Sequence, residues 1–167
     1  MGASEDTVAV KVEAVAMSTQ GPVVLLAPVN GNGDDKLLPI FIDPSQAFNI
    51  QMVLKGHIPP RPMTHDLFST VVHEMGGAID RVVIEDLANN TFFASMYIKL
   101  DRSGGSEEKR FDARPSDGIA MAVRAGARLL VKKKVIDAAA IKRRDIESNV
   151  VEVEETDDED VDLGVRP

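Results

Sequence analysis

The sequence predicts an α+β fold: a mixed, mostly antiparallel sheet covered by helices, with a possible duplicated β-β-β-α unit. Two observations lead there. Strand signals come in runs of three before a strong helix signal, which argues against the strand–helix alternation of a doubly wound parallel sheet. The order strand, Pro44-Ser45, apolar helix, Gly56 is echoed by strand, Pro115-Ser116, apolar helix, Gly126. Proline in a first helical turn and glycine just past the last are favoured on physical grounds alone, so chance competes with duplication. Three strand signals ahead of each Pro-Ser pair favour duplication.

The elements follow in order. Val8, Val10 and Val12 alternate with other residues, which predicts a half-buried strand over 7–17. Val23 to Val29 reads as a second, continuously apolar strand, and NGNGDD at 30–35 as a hairpin loop. KLLPIFID at 36–43 is a third strand, so the glycines before it lack the strand–loop–helix context of a nucleotide loop. Asp43 caps a helix whose apolar residues Ala47, Ile50, Val53 and Leu54 recur at helical spacing. HIPPRPM at 57–63 is too rich in proline for helix or central strand. Thr64 is expected to cap a second helix with Leu67, Phe68, Val71, Val72 and Met75 on its apolar face. Strands at 78–87 and 91–100 flank Asn89-Asn90, RSGGSEE is expected to be a flexible turn, and KRFDA a short strand. A third helix starts near Pro115 with Ile119, Ala122 and Val123 inward, ARLLV is a strand, and KKKVIDAAAI a short helix.

The expected organisation is a flexible N-terminus at 1–6, one domain at 7–149 and a disordered acidic tail at 150–167. Eight of the 27 acidic side chains and one of the 19 basic ones fall in 150–167, so the tail carries −7 of the net −8 and the rest is nearly neutral. Acidic blocks of this kind are usually solvated tails, and docking on basic residues is the alternative. The chain has no cysteine, which excludes disulfides, thiolate zinc sites and a cysteine nucleophile. Aromatic residues make up only 4%, which argues against a stacking platform for bases. No apolar run approaches a membrane span, and MGASEDTV has no signal-peptide character. A cytoplasmic protein without membrane contact is expected.

Two constellations carry chemistry. The first is Arg61 with His65 and Asp66, at a helix start after Pro59-Pro60-Arg61-Pro62. A helix N-terminus attracts phosphate, Arg61 adds a bidentate donor, and His65 is the candidate general acid or base. The bland alternative is ordinary capping around Thr64 and Asp66. The second is Asp112, Arg114, Ser116 and Asp117 around the next helix start. Asp112 and Asp117 are candidate oxygen ligands for a divalent metal such as magnesium, which would activate water against a phosphodiester. The alternative there is an Asp–Arg ion pair plus capping. Arg124, Arg128, Lys132–Lys134 and Lys142–Arg144 suggest a basic patch, either phosphate-binding or simply a solvated face.

PPRPMTHDLF (59–68), LPIFIDPSQA (38–47), the pair VVIEDL and TFFASMYI, and FDARPSDGIAMAVRAGA (111–127) resemble the bifunctional nuclease domain family. The resemblance spans about residues 7–140. Both of the family's motifs stand intact, Pro-Pro-Arg-Pro-x-Thr-His-Asp at 59–66 and Asp-x-Arg-Pro-Ser-Asp at 112–117. Gly118 stands where the family often has alanine, the loop at 101–108 looks longer than usual, and an acidic tail is expected where bacterial relatives often add a small helical module. The resemblance implies a nuclease, a hydrolase of phosphodiesters in DNA and RNA. In that reading His65, Asp66, Asp112 and Asp117 are catalytic, Arg61, Arg114 and Ser116 bind substrate, and Asp112 and Asp117 hold the metal. The alternative is a non-catalytic, homo-oligomeric ligand-binding or regulatory protein in which the same polar residues form a pocket. The two motifs are expected to face one cleft.

Overall fold

The computed structural model describes residues 6–31, 35–148 and 150–154. β1 (Thr7–Ser18), β2 (Gly21–Pro28) and β3 (Lys36–Phe41) form an antiparallel meander. Helix α1 (Pro44–Leu54) follows, closed by a reciprocal capping box: Asp43 Oδ1 accepts from the Gln46 N–H at 2.9 Å, and Gln46 Oε1 accepts from the Asp43 N–H at 2.9 Å. The proline-rich segment 57–63 carries neither helix nor strand, and α2 (Thr64–Glu74) begins directly after it. A second antiparallel meander comes next: β4 (Gly77–Ala88), β5 (Thr91–Arg102) and β6 (Gly105–Ala113). The chain then runs through α3 (Pro115–Ala125), β7 (Arg128–Lys132), α4 (Lys133–Ala139), β8 (Ile141–Lys142), α5 (Arg143–Glu147) and β9 (Val150–Glu154).

These strands form one mixed sheet in the order β6-β5-β4-β7-β1-β2-β3-β8, with β9 also paired to β1. β7 joins the two meanders, parallel to β4 and antiparallel to β1. The repeated order of three strands and a helix, with one meander on each side of β7, is consistent with duplication of a β-β-β-α unit. The main core lies between the sheet and helices α1, α3 and α4, around Leu26, Leu38, Ile50, Ile84, Ile119 and Val131. α3 lies especially close to β4: a Cβ on Gly118 would stand 2.7 Å from Val82 Cγ1. Gly126 ends α3 at φ 61°, a left-handed conformation that glycine adopts without a Cβ penalty.

Three sequence expectations change here. β6 starts at Gly105, so most of the stretch expected to be a turn is strand, and the 105–113 strand is longer than KRFDA. Residues 150–154, expected to open a disordered tail, pair with β1 as β9. Residues 155–167 and 1–5 lie outside the described residues. Finally, the apolar stripe of α2 does not sink into the core. No α2 residue is buried, and Leu67, Phe68, Val71 and Met75 remain exposed. Among the described residues no helix is long and apolar enough to cross a membrane.

Candidate functional site

The start of α2 is closed by Asp66 rather than Thr64. Met63 is the N-cap residue, and Asp66 Oδ2 accepts its N–H at 2.9 Å. The other oxygen of Asp66 accepts from Arg124 Nε at 2.8 Å. Arg124 also donates through Nη1 to the carbonyls of Asn49 and Ala120, both at 3.2 Å, and its side chain is only 6% exposed. The hydrogen bond from Arg124 holds the Asp66 carboxyl below the usual range, against the opposing effect of burial. One buried guanidinium thus ties together α1, α2 and α3.

With Asp66 committed to that tie, its neighbour His65 meets the start of α3. Arg114 is the N-cap residue there and Pro115 the first helical residue. Asp117, in the first turn, receives two side chains: His65 Nε2 lies 3.1 Å from Oδ1, and Arg114 Nε donates to Oδ2 at 2.7 Å. Burial pushes the Asp117 carboxyl up, but the hydrogen bonds from Arg114 and His65 outweigh it and hold it below the usual carboxylate range. Asp117 is therefore an anion at neutral pH, and the proton on His65 Nε2 points at it. Nδ1 is left as the nitrogen that could exchange a proton, and it is buried without a partner. Proton transfer through Nδ1 requires the ring or the start of α2 to move.

The pair sits at one end of a groove of about 850 Å³ between α2, the start of α3, and strands β5 and β6. Its walls are mainly apolar, including Phe68, Val72, Ile98, Phe111 and Met121, with Arg102 and Lys109 towards the opposite end. Asp112 and Arg114 line the groove beside Asp117. Asp112 is exposed and also borders a second hollow with Glu85, Arg110, Lys132 and Lys134. So His65, Asp112, Arg114 and Asp117 converge. Asp66 faces Arg124 instead, Ser116 is buried, and Arg61 is exposed and outside the groove lining.

The donor set does not fit a divalent ion. Both Asp117 oxygens are taken by N–H donors, Arg114 places a positive charge on the same carboxylate, and the described residues hold no group of three His, Cys, Asp or Glu side chains arranged for a metal. The expected basic patch is also divided. Arg124 is buried, Lys132 and Lys134 pair with Asp6 and Asp86, and Arg143 pairs with Glu13 and Asp35.

Residues 24–144 match the bifunctional nuclease domain. The chain belongs to that family. Two uncharacterised proteins of Mycobacterium tuberculosis, from strains CDC 1551 and H37Rv, are 38% identical to it over 120 residues, covering 72% of this chain and 67% of theirs. Bifunctional nuclease 1 of Oryza sativa subsp. indica is 27% identical over 105 residues, covering 62% of this chain but 31% of the rice protein. The matched segment of this bifunctional nuclease domain contains the whole His65–Asp117 site, the groove and Arg124.

Two features of the domain carry little signal in the sequence. Arg124 reads as one more base on a helix, because nothing local shows that it enters the gap between three helices. The groove has a trace: the α2 stripe and the alternate β6 residues Lys109 and Phe111 line its walls. A stripe of this kind ordinarily signals core, so only the placement of α2 at the margin of the sheet shows it to be a wall.

Proposed function

We propose that this domain hydrolyses phosphodiester bonds of DNA and RNA at the groove end formed by His65, Asp117, Arg114 and Asp112. The observation that carries this reading is the 3.1 Å contact between His65 and Asp117, which unites two motifs 52 residues apart. Arg114 bonds Asp117 through Nε and lines the groove, and its two remaining nitrogens would serve to clamp a phosphate. Asp117 fixes the orientation of the imidazole, and His65 serves as the proton carrier. Asp112, exposed at the rim, orients the attacking water. Asp66 acts through α2 by fixing the backbone that carries His65, and Ser116 belongs to the buried start of α3. No step is routed through a metal.

The test is cleavage of single-stranded DNA and RNA by highly purified protein, with His65→Ala prepared in parallel. The parent should cleave, and His65→Ala should lose on the order of 10²-fold or more. Activity should persist in a chelator, because both Asp117 oxygens already accept N–H donors and Arg114 sets a positive charge beside them. Loss in chelator with recovery in magnesium would instead restore the two-aspartate ion site expected from the sequence. The buried Nδ1 favours one other reading, a non-catalytic pocket for an organic ligand. Equal activity of parent and His65→Ala preparations would select it.

A further inference from the structure

We propose that two copies of this chain join edge to edge through β6, antiparallel about a two-fold axis at Lys109, so that their sheets become one. The contact concerns β6 and does not depend on the nuclease reading.

β6 is the outermost strand on its side of the sheet, and among the described residues it pairs only with β5. The β5–β6 ladder runs from Ala94 opposite Ala113 to Arg102 opposite Gly105 without a register shift. Gly105 to Asp112 are all exposed. In an antiparallel ladder alternate residues direct their N–H and C=O groups away from the neighbouring strand. This edge presents such groups over 9 residues, against about five or six in an ordinary strand. Proline, a bulge or lysines usually blunt an edge of this length. β6 has no proline and no bulge, and its one lysine, Lys109, is offset by Glu107 at 3.1 Å. The other end of the sheet differs: its strand β8 is only Ile141–Lys142.

The charge pattern of the edge selects a second copy as its partner. Glu107, Glu108, Lys109 and Arg110 sum to zero, so two copies meet here without net repulsion. A two-fold axis normal to the sheet keeps every side chain on its own face, so a residue can oppose only one an even number of positions away. Pairing the whole strand, with Gly105 opposite the second copy's Ala113, puts Lys109 on the axis. It also sets Glu108 opposite the second copy's Arg110, and the symmetry repeats that pair. Glu108 already receives Arg81 at 2.7 and 3.0 Å, and Arg110 already donates to Glu85. Their side chains nonetheless stay 41 and 60% exposed. The contact therefore links bridges within each chain into a ladder Arg81–Glu108–Arg110–Glu85 that crosses the seam twice. On the groove face the two Lys109 side chains oppose each other, an unfavourable pair, but each has the other copy's Glu107 on the diagonal, within reach of a long side chain. Lys109 and Phe111 line the groove, so the two grooves share one face of the joined sheet, with the His65–Asp117 sites towards opposite ends of the seam.

Sedimentation of the full chain with a charge swap tests this. The parent should associate to a dimer. Arg110→Glu sets Glu against Glu108 and Glu108→Arg sets Arg against Arg110, so each variant alone should dimerise at least about tenfold more weakly. An equal mixture of the two restores opposite charges in both pairs and should form a mixed dimer. Cross-linking tests the register without reversing a charge, because the chain has no cysteine of its own. Residues directly opposed across antiparallel strands have Cα atoms about 4.5–5.5 Å apart, within disulfide range. Lys109→Cys should therefore oxidise to a covalent dimer. Ser106→Cys lies three positions from the axis, about 20 Å from its own counterpart, and should not. A parent that stays monomeric at all concentrations would overturn the proposal, as would variants that dimerise as well alone as mixed. Cross-linking of Ser106→Cys as readily as Lys109→Cys would overturn it too, since the copies would then not meet at the Lys109 axis. None of these readouts needs turnover, so a failed nuclease assay leaves the dimer standing and a monomeric parent leaves the hydrolase reading untouched.

Discussion

The two halves of the molecule start their principal helices from the same local sequence and use it differently. At the start of α1 the run is Asp43-Pro44-Ser45-Gln46, and at α3 it is Arg114-Pro115-Ser116-Asp117. In the first, Gln46 folds back onto the Asp43 N–H and the cap is closed. In the second, Arg114 makes no side-chain cap, and Asp117 bonds to His65 from another helix. Their surroundings differ in parallel. β2 is buried on both faces, with Val23, Leu25 and Ala27 packed against Leu37 and Ile146. On the other meander, Asp80 accepts from Arg81, Lys99 and Arg128, while Arg81 reaches Glu108 and stacks 3.9 Å from the Tyr97 ring centroid. One unit is used for stability. The other gives up its cap and part of its cover to hold a polar site beside an open groove.

The largest expected effect lies where α3 departs from α1 in its last turn, with Arg124 at the position equivalent to Val53. Arg124→Ala removes a buried guanidinium, leaving Asp66 and the Asn49 carbonyl without that donor. The expected loss is about 3 kcal/mol in denaturant unfolding. A loss below about 1 kcal/mol would show that the three-helix tie is incidental. Next comes Gly118, which stands where α1 has the buried Ala47. Gly118→Ala gains helix propensity worth about 1 kcal/mol but drives a Cβ against Val82, so a net destabilisation of about 1 kcal/mol is expected. Adding Val82→Ala should make the same alanine favourable. If Gly118→Ala is stabilising on its own, the close approach of α3 to β4 does not constrain that helix.

The smallest effect is on pH dependence. Asp117 has a lowered folded-state pKa, so the unfolded chain binds more protons as pH falls towards and below about 4. Its contribution is present above the unfolded pKa and lost as pH falls through the folded one. Asp117→Asn should therefore flatten the acid limb of a melting-temperature profile. Substituting Gln46, which does not titrate, should leave that limb's slope intact. Equal slopes for the parent and Asp117→Asn would mean that the Arg114 and His65 bonds do not stabilise the carboxylate.

Much of this was legible because local physics decided it. Period-two valines marked β1, Pro-Ser starts and Gly126 marked helix ends, and the polar motifs at 59–66 and 112–117 pointed to one cleft. What remained hidden depended on long-range placement. Asp66 and Asp117 look alike as acids at the starts of helices, yet one meets a buried arginine from α3 and the other a histidine from α2. The stripe Leu67–Phe68–Val71–Met75 carries the pattern of a buried face, but α2 lies at the sheet margin and that face becomes a wall. β9 was obscured because its strand residues continue into a strongly acidic run, and composition dominated the reading of 150–154.

The central claim is that His65 and Asp117 act as one unit. The direct measurement is a double-mutant cycle on cleavage of single-stranded DNA and RNA, using His65→Ala, Asp117→Ala and the double variant, each verified as folded. Each single variant should lose on the order of 10²-fold or more, and the double variant should be no slower than the worse single one. Losses that multiply, or variants that cleave as fast as the parent, would contradict it.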